Sequence, residues 1–205
     1  VQVAHDFWRR HFYRESHRFV NYALRVSFGP EQLPPLLSDS LSDPNLKVVP
    51  STEIKDTASE ERLYLTAFQS VKEAWSIHRE EIKTLLLEST ALNRNMYRTQ
   101  KVPDLIEGMD RYVGRGAEEP VLFEDFKKFT RAEIGRATKK GCSVPAHPFF
   151  RYCETLQEAY SLLMTAFDNR LTALKVKLVK EGGTALTEKK RRRNVQSFQD
   201  LLLGV

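Results

Sequence analysis

Histidine is the first residue type to weigh, because a neutral imidazole serves both as general base and as zinc ligand near neutral pH. The chain holds five. His5, His11 and His17 recur every six residues, and six helical residues turn by about 240°, so the three rings diverge instead of meeting at one ion. His78 stands in an apolar register between Trp75 and Ile82. A neutral ring is expected there, held by one hydrogen bond and fixing the packing register as polar seam residues do. Cys142, His147 and Cys153 place three zinc-type donors in a short span, but structural zinc sites bring cysteines in close C-x2–4-C pairs and need a fourth ligand. The reading is therefore no metal and no cofactor, with Cys153 a small core residue and Cys142 in a turn. Glu60-Glu61, Glu80-Glu81 and Glu118-Glu119 are adjacent carboxylates that point about 100° apart on a helix and read as solvated charge. The sequence contains no G-x-x-x-x-G-K-S/T phosphate loop, G-x-G-x-x-G turn, H-E-x-x-H helix or G-x-S-x-G elbow, so it offers no familiar catalytic framework and reads as non-enzymatic.

Two basic features point to binding instead. Near the N-terminus, Arg9, Arg10, Arg14, Arg18 and Arg25 are interleaved with Phe7, Trp8, Phe12, Tyr13, Phe19 and Tyr22. This mixture suits phosphate contacts beside stacking rings, although the favoured reading is a ring-filled core with a solvated arginine rim. Farther on, Lys189, Lys190, Arg191, Arg192 and Arg193 form five consecutive cations ahead of Val195, Phe198, Leu201 and Leu202. Such a run serves nuclear import, phosphate contact or adhesion to anionic lipid, the last at about 1 kcal/mol per basic residue. The pair Arg10-His11, followed by His17, resembles the loose Arg-polar-x4–6-His pattern of the HEPN superfamily of helical RNA-binding and RNA-cleaving domains. The resemblance covers residues 10–17. It implies a histidine acid or base with an arginine stabilising charge at phosphorus, and it requires Arg10 and His17 on one exposed face.

The elements that must carry these residues read as helices throughout. Trp8, Phe12, Phe19, Ala23 and Val26 predict one helix from His5 to Ser27, stopped by Gly29-Pro30. Pro30, Pro34, Pro35, Pro44 and Pro50 predict a long loop or mobile tether up to Ala58. Thr57 and Glu60 form a capping-box pattern, opening a helix whose seam steps by fours and threes through Tyr64, Phe68, Val71, Trp75, His78, Ile82, Leu85, Ser89, Leu92 and Met96. A short helix follows Pro103 and ends at Gly114 or Gly116, and another runs after Pro120 to Lys139-Lys140-Gly141. From Phe149, an apolar stripe through Tyr152, Leu156, Leu163, Phe167, Leu171 and Leu178 predicts a second long helix, ended by Gly182-Gly183. A final helix is expected over Thr187 to Leu203.

The expected fold is thus an all-α, elongated helical bundle with two long amphipathic helices, in which residues 1–29 form a basic and aromatic helix, 30–58 a tether and 59–205 the bundle. With 205 residues, 41% of them hydrophobic and 29% charged, the chain has enough material for a core without staples. Two cysteines fit a reduced intracellular setting, cytoplasmic or nuclear. A formal net charge of +5 permits an acidic partner without demanding one. The functional expectation is a protein-interaction scaffold whose seam at Phe68, Trp75, His78 and Leu85 docks partner helices or a second copy, while Arg9, Arg10, Arg14, Arg18 and Lys189 to Arg193 approach acidic protein or anionic membrane. The alternatives are a helical RNA-binding module and, more remotely, a HEPN-like ribonuclease.

Overall fold

The computed structural model describes residues 2–42 and 53–193. It is an all-α bundle of α1 (Gln2–Phe12), α2 (His17–Arg25), α3 (Leu33–Ser42), α4 (Ala58–Glu88), α5 (Val102–Arg115), α6 (Arg131–Ala137) and α7 (Pro148–Arg193), with 3-10 turns at Thr99–Lys101 and Phe126–Phe129. Among the described residues, β pairing is limited to one isolated bridge between Leu92 and Thr138. The chain forms two compact units, one from Val1–Lys55 with Phe167–Val205 and one from Asp56–Ala166. The second boundary between the units falls inside α7.

In unit one, the single helix expected over His5 to Ser27 is two. The chain breaks after Phe12, and Ser16 caps α2 by accepting from the Phe19 N–H at 3.1 Å. The break lets rings from both helices share one core: Phe12 lies 5.6 Å from Phe19 and 6.0 Å from Phe28, and Phe19 meets Phe167 of α7 at 5.3 Å. The proline-rich segment also departs from expectation. α3 occupies Leu33–Ser42, with Pro34 and Pro35 in its first turn, where a missing N–H costs no helical bond. Residues 43–52 of the expected tether lie outside the described residues, and 53–57 are non-helical up to the start of α4.

Gly182-Gly183 does not stop α7, which continues to Arg193. Gly182 is buried, and a Cβ on it would sit 2.6 Å from Leu37 Cδ1. The glycine there allows α3 to approach, not the helix to end. The expected final helix therefore begins as a continuation of α7, and its part beyond Arg193 is outside the described residues. Two polar links cross the unit: the Tyr22 hydroxyl donates to Asp168, and Arg170 donates to both Glu15 and the Lys55 carbonyl.

In unit two, α4 carries the predicted seam but is shorter than predicted, ending at Glu88. Tyr64, Phe68, Val71, Trp75 and Ile82 are buried; then burial passes from Leu85 to Leu86. A straight helix with 3.6 residues per turn drifts out of a 3.5-residue repeat in this way. Its end is closed by Arg94, whose guanidinium donates to the carbonyls of Leu86 (2.8 Å), Leu87 (2.8 Å) and Ser89 (2.6 Å), supplying donors that the terminal turn lacks. The expected capping box is also replaced. The Thr57 hydroxyl donates to Glu61 Oε1 at 3.1 Å and makes no side-chain cap.

α5 begins with Pro103 in its first turn and ends at Gly116, whose φ of 83° suits glycine. The helix expected after Pro120 resolves into the Phe126–Phe129 turn and α6, separated by Thr130, which caps α6 by accepting from the Glu133 N–H at 3.3 Å. α6 stops at Ala137 because the chain pairs instead with the segment after α4: Asn93 N–H to Ala137 O is 2.8 Å and Lys139 N–H to Ala91 O is 2.9 Å. The core around α4 is aromatic, with Trp75 5.9 Å from Phe129 and 5.2 Å from Phe149, and Phe68 5.4 Å from Tyr112. Burying such side chains contributes roughly 1.5–3 kcal/mol each.

Candidate functional site

On unit two, α4 sets His78 and Glu81 three positions apart, one above the other on a helical face. The proline-bounded segment ahead of α7 delivers His147 to the same point. His78 Nδ1 lies 3.0 Å and His147 Nε2 3.5 Å from Glu81 Oε2, and the imidazoles meet edge to face at 4.9 Å. The His78 hydrogen bond, helped by His147, holds the exposed Glu81 carboxyl below the usual carboxylate range. The two histidines differ in setting. His147 has a side chain only 6% exposed, lies 6.1 Å from the Phe150 ring and accepts at Nδ1 from the Phe149 N–H at 3.1 Å, so its neutral form carries the proton on Nε2, toward Glu81. His78 is 40% exposed.

This corrects the expectation for His78, which faces outward as part of a polar cluster and does not sit buried in the seam. The rotation follows from the same drift that moves burial to Leu86 farther along α4. The zinc-type trio of the sequence also separates. Cys153 is fully buried in α7, where burial pushes its thiol well up, while Cys142 is exposed; both are free thiols. Only His147 of that trio reaches the cluster.

His147 also forms a wall of an open cleft of about 400 Å³, lined by Arg131, Val144, Pro145, Ala146, His147, Pro148, Phe150 and Arg151. Its lining is mostly apolar and includes two cationic side chains. Arg131 and Arg151 are exposed, and among the described residues neither is in an ion pair. The sequence reading took Glu81 for solvated charge and gave no site role to Arg131 or Arg151. The i,i+3 spacing of His78 and Glu81 was visible, but its meeting with His147 depends on how the segment after α6 returns to α4.

The other expected binding residues are dispersed. Phe68 and Trp75 are buried in the unit's own core, and Leu85 is half-buried, so the seam is occupied by this chain and is not a free docking face. Arg9, Arg10 and Arg14 are exposed and Arg18 is half-buried; Arg10 lies 3.9 Å from Glu181. Of the six N-terminal rings, Phe7, Phe12, Phe19 and Tyr22 are core, Trp8 stacks on Phe12 at 3.8 Å, and Tyr13 stands 88% exposed. Arg10 belongs to α1 and His17 opens α2, so the two residues of the ribonuclease pattern stand on different helices, and both are exposed. The backbone of α7 carries Lys189 to Arg193, whose side chains lie outside the described residues. Among the described residues, no helix is long and apolar enough to cross a membrane.

No protein-family model matches this sequence, and no curated protein is significantly similar to it.

Proposed function

We propose that the chain is a non-enzymatic helical interaction module and that unit two docks an acidic, apolar-bearing protein segment in the cleft beside His147. The observation that carries this reading is that two exposed arginines, Arg131 and Arg151, line the same cleft as Val144, Pro145, Pro148 and Phe150. Apolar contact supplies affinity that survives salt, while the guanidiniums select carboxylates and accelerate encounter in a screened, salt-dependent manner. The prolines hold the cleft rim with little conformational freedom to lose on binding.

Fluorescein-labelled peptides rich in Glu and Leu, set against peptides with Lys in place of Glu, test this by anisotropy across a salt series. The acidic peptide is expected to bind more tightly, and the Arg131→Glu and Arg151→Glu variants to lose about tenfold each at low salt. Equal binding of both peptides, or no effect of either reversal, overturns the reading.

The alternative, a helical RNA-binding module, is supported by the exposed Tyr13 ring with Arg9 and Arg14 also exposed in the same N-terminal region. Labelled single-stranded RNA and anionic liposomes, run in parallel, distinguish it and the membrane partner. Tyr13→Ala should weaken RNA binding if that alternative is correct and leave peptide binding unchanged.

A further inference from the structure

Beyond the docking reading, and independently of it, we infer that His78, Glu81 and His147 bind one divalent transition-metal ion of the zinc class. Among the described residues, these three offer ligand atoms that all lie within 4.8 Å of one another. Zinc takes imidazole nitrogen at about 2.0–2.1 Å and carboxylate oxygen at about 2.0–2.2 Å. In a tetrahedron of such bonds the ligand atoms stand roughly 3.3 Å apart. The separations from Glu81 Oε2, 3.0 Å to His78 Nδ1 and 3.5 Å to His147 Nε2, bracket that spacing. Only the edge between the two histidines has to close.

The donor chemistry narrows the ion. Two imidazoles and one carboxylate suit zinc, cobalt, nickel or copper, whereas magnesium and calcium prefer an all-oxygen shell. Two ligands stand one turn apart on the 31-residue α4 and so keep their spacing, and the third is held by packing, its side chain only 6% exposed. The Glu81 side chain is 61% exposed at the mouth. Three protein ligands therefore leave the fourth position to water.

Loading carries an identifiable cost. An imidazole that gives its Nε2 lone pair to a metal carries its proton on Nδ1, and in His147 that atom now accepts from the Phe149 N–H at 3.1 Å. Binding must break this hydrogen bond, and the Phe149 amide becomes a reporter of occupancy that a loosely associated surface ion would not affect.

The test uses the full chain, stripped with chelator and titrated with zinc chloride by calorimetry, with cobalt(II) absorption to report coordination number. One saturable equivalent is expected, and the affinity should fall at least about tenfold in His78→Ala, Glu81→Gln and His147→Ala. Cys142→Ser should bind as the wild type, because the exposed thiol is not part of the site. In 15N spectra the Phe149 amide should shift with zinc and not with magnesium. Absence of saturable binding below millimolar zinc, unchanged affinity in His78→Ala and Glu81→Gln, or loss of binding in Cys142→Ser would each overturn the inference. His78 and Glu81 are outward-facing, so these two variants keep the test valid even if His147→Ala fails to fold.

Discussion

Asp110 ties α5 to α4 through one carboxylate. Its Oδ1 accepts from Trp75 Nε1 and from Arg79 Nε, both at 2.9 Å, and its Oδ2 accepts from the other arm of the Arg79 guanidinium at 2.7 Å. Both charged side chains are 36% exposed, which screens the pair and lowers its value below that of a buried one. Asp110→Asn, which keeps an acceptor for Trp75, should cost about 1 kcal/mol in urea unfolding, and Asp110→Ala somewhat more. The Arg79 hydrogen bonds, aided by Trp75 and opposed by partial burial, hold the carboxyl below its usual range. A carboxyl depressed in the native state contributes fully above its unfolded value of about 3.9 and loses that contribution as pH falls through the lower native value. The stability difference between wild type and Asp110→Asn should therefore be constant from about pH 5 to pH 7 and shrink below about pH 4. A difference that grows on acidification would show that the ion pair is not its source. None of this was legible beforehand, because Trp75 read correctly as an apolar seam residue but its indole N–H has a partner 35 positions away.

The helices themselves were largely legible, and their ends were not. Apolar steps of three and four identify α4 and α7, since burial of a stripe dominates helix stability. The ends depend on individual contacts made by distant residues. α4 stops where Arg94 folds back onto its last carbonyls, and Arg94→Ala should cost about 2 kcal/mol and increase amide exchange over 85–88. Arg94→Lys should restore only part of the loss, because an ammonium cannot span the same carbonyls as a planar fork. α7 passes through Gly182-Gly183 because unit one needs the missing Cβ. In an exposed helix Gly→Ala gains about 1 kcal/mol; here Gly182→Ala should destabilise by roughly 1–3 kcal/mol through overpacking against Leu37. Leu37→Ala should relieve part of that penalty in a double-mutant cycle. Stabilisation by Gly182→Ala alone would mean that α3 does not press on α7 at this point. The candidate site follows the same pattern: His78 and Glu81 share a helix and were visible as neighbours, whereas His147 reaches them through a non-helical segment that carries no periodic signal.

Unit two is continuous in sequence, from Asp56 to Ala166, and holds its own aromatic core. A fragment of residues 56–166 is expected to fold alone, with helical circular dichroism and a cooperative thermal transition. A fragment that melts without a sigmoidal transition would show that its core depends on the remaining chain. Unit one has the opposite construction. Its aromatic residues Phe12, Phe19, Tyr22 and Phe28 come before unit two, while Phe167, Leu171, Leu174 and Leu178 come after it. During synthesis, at about 5–20 residues per second, the early half leaves the ribosome roughly 7–28 s before its counterpart. Through that interval a cluster of phenylalanines has no lid, while the inserted unit is free to finish folding. The nascent chain thus passes through a defined sticky stage whose length is set by translation speed, and chaperone occupancy should peak there and fall once residue 178 has emerged.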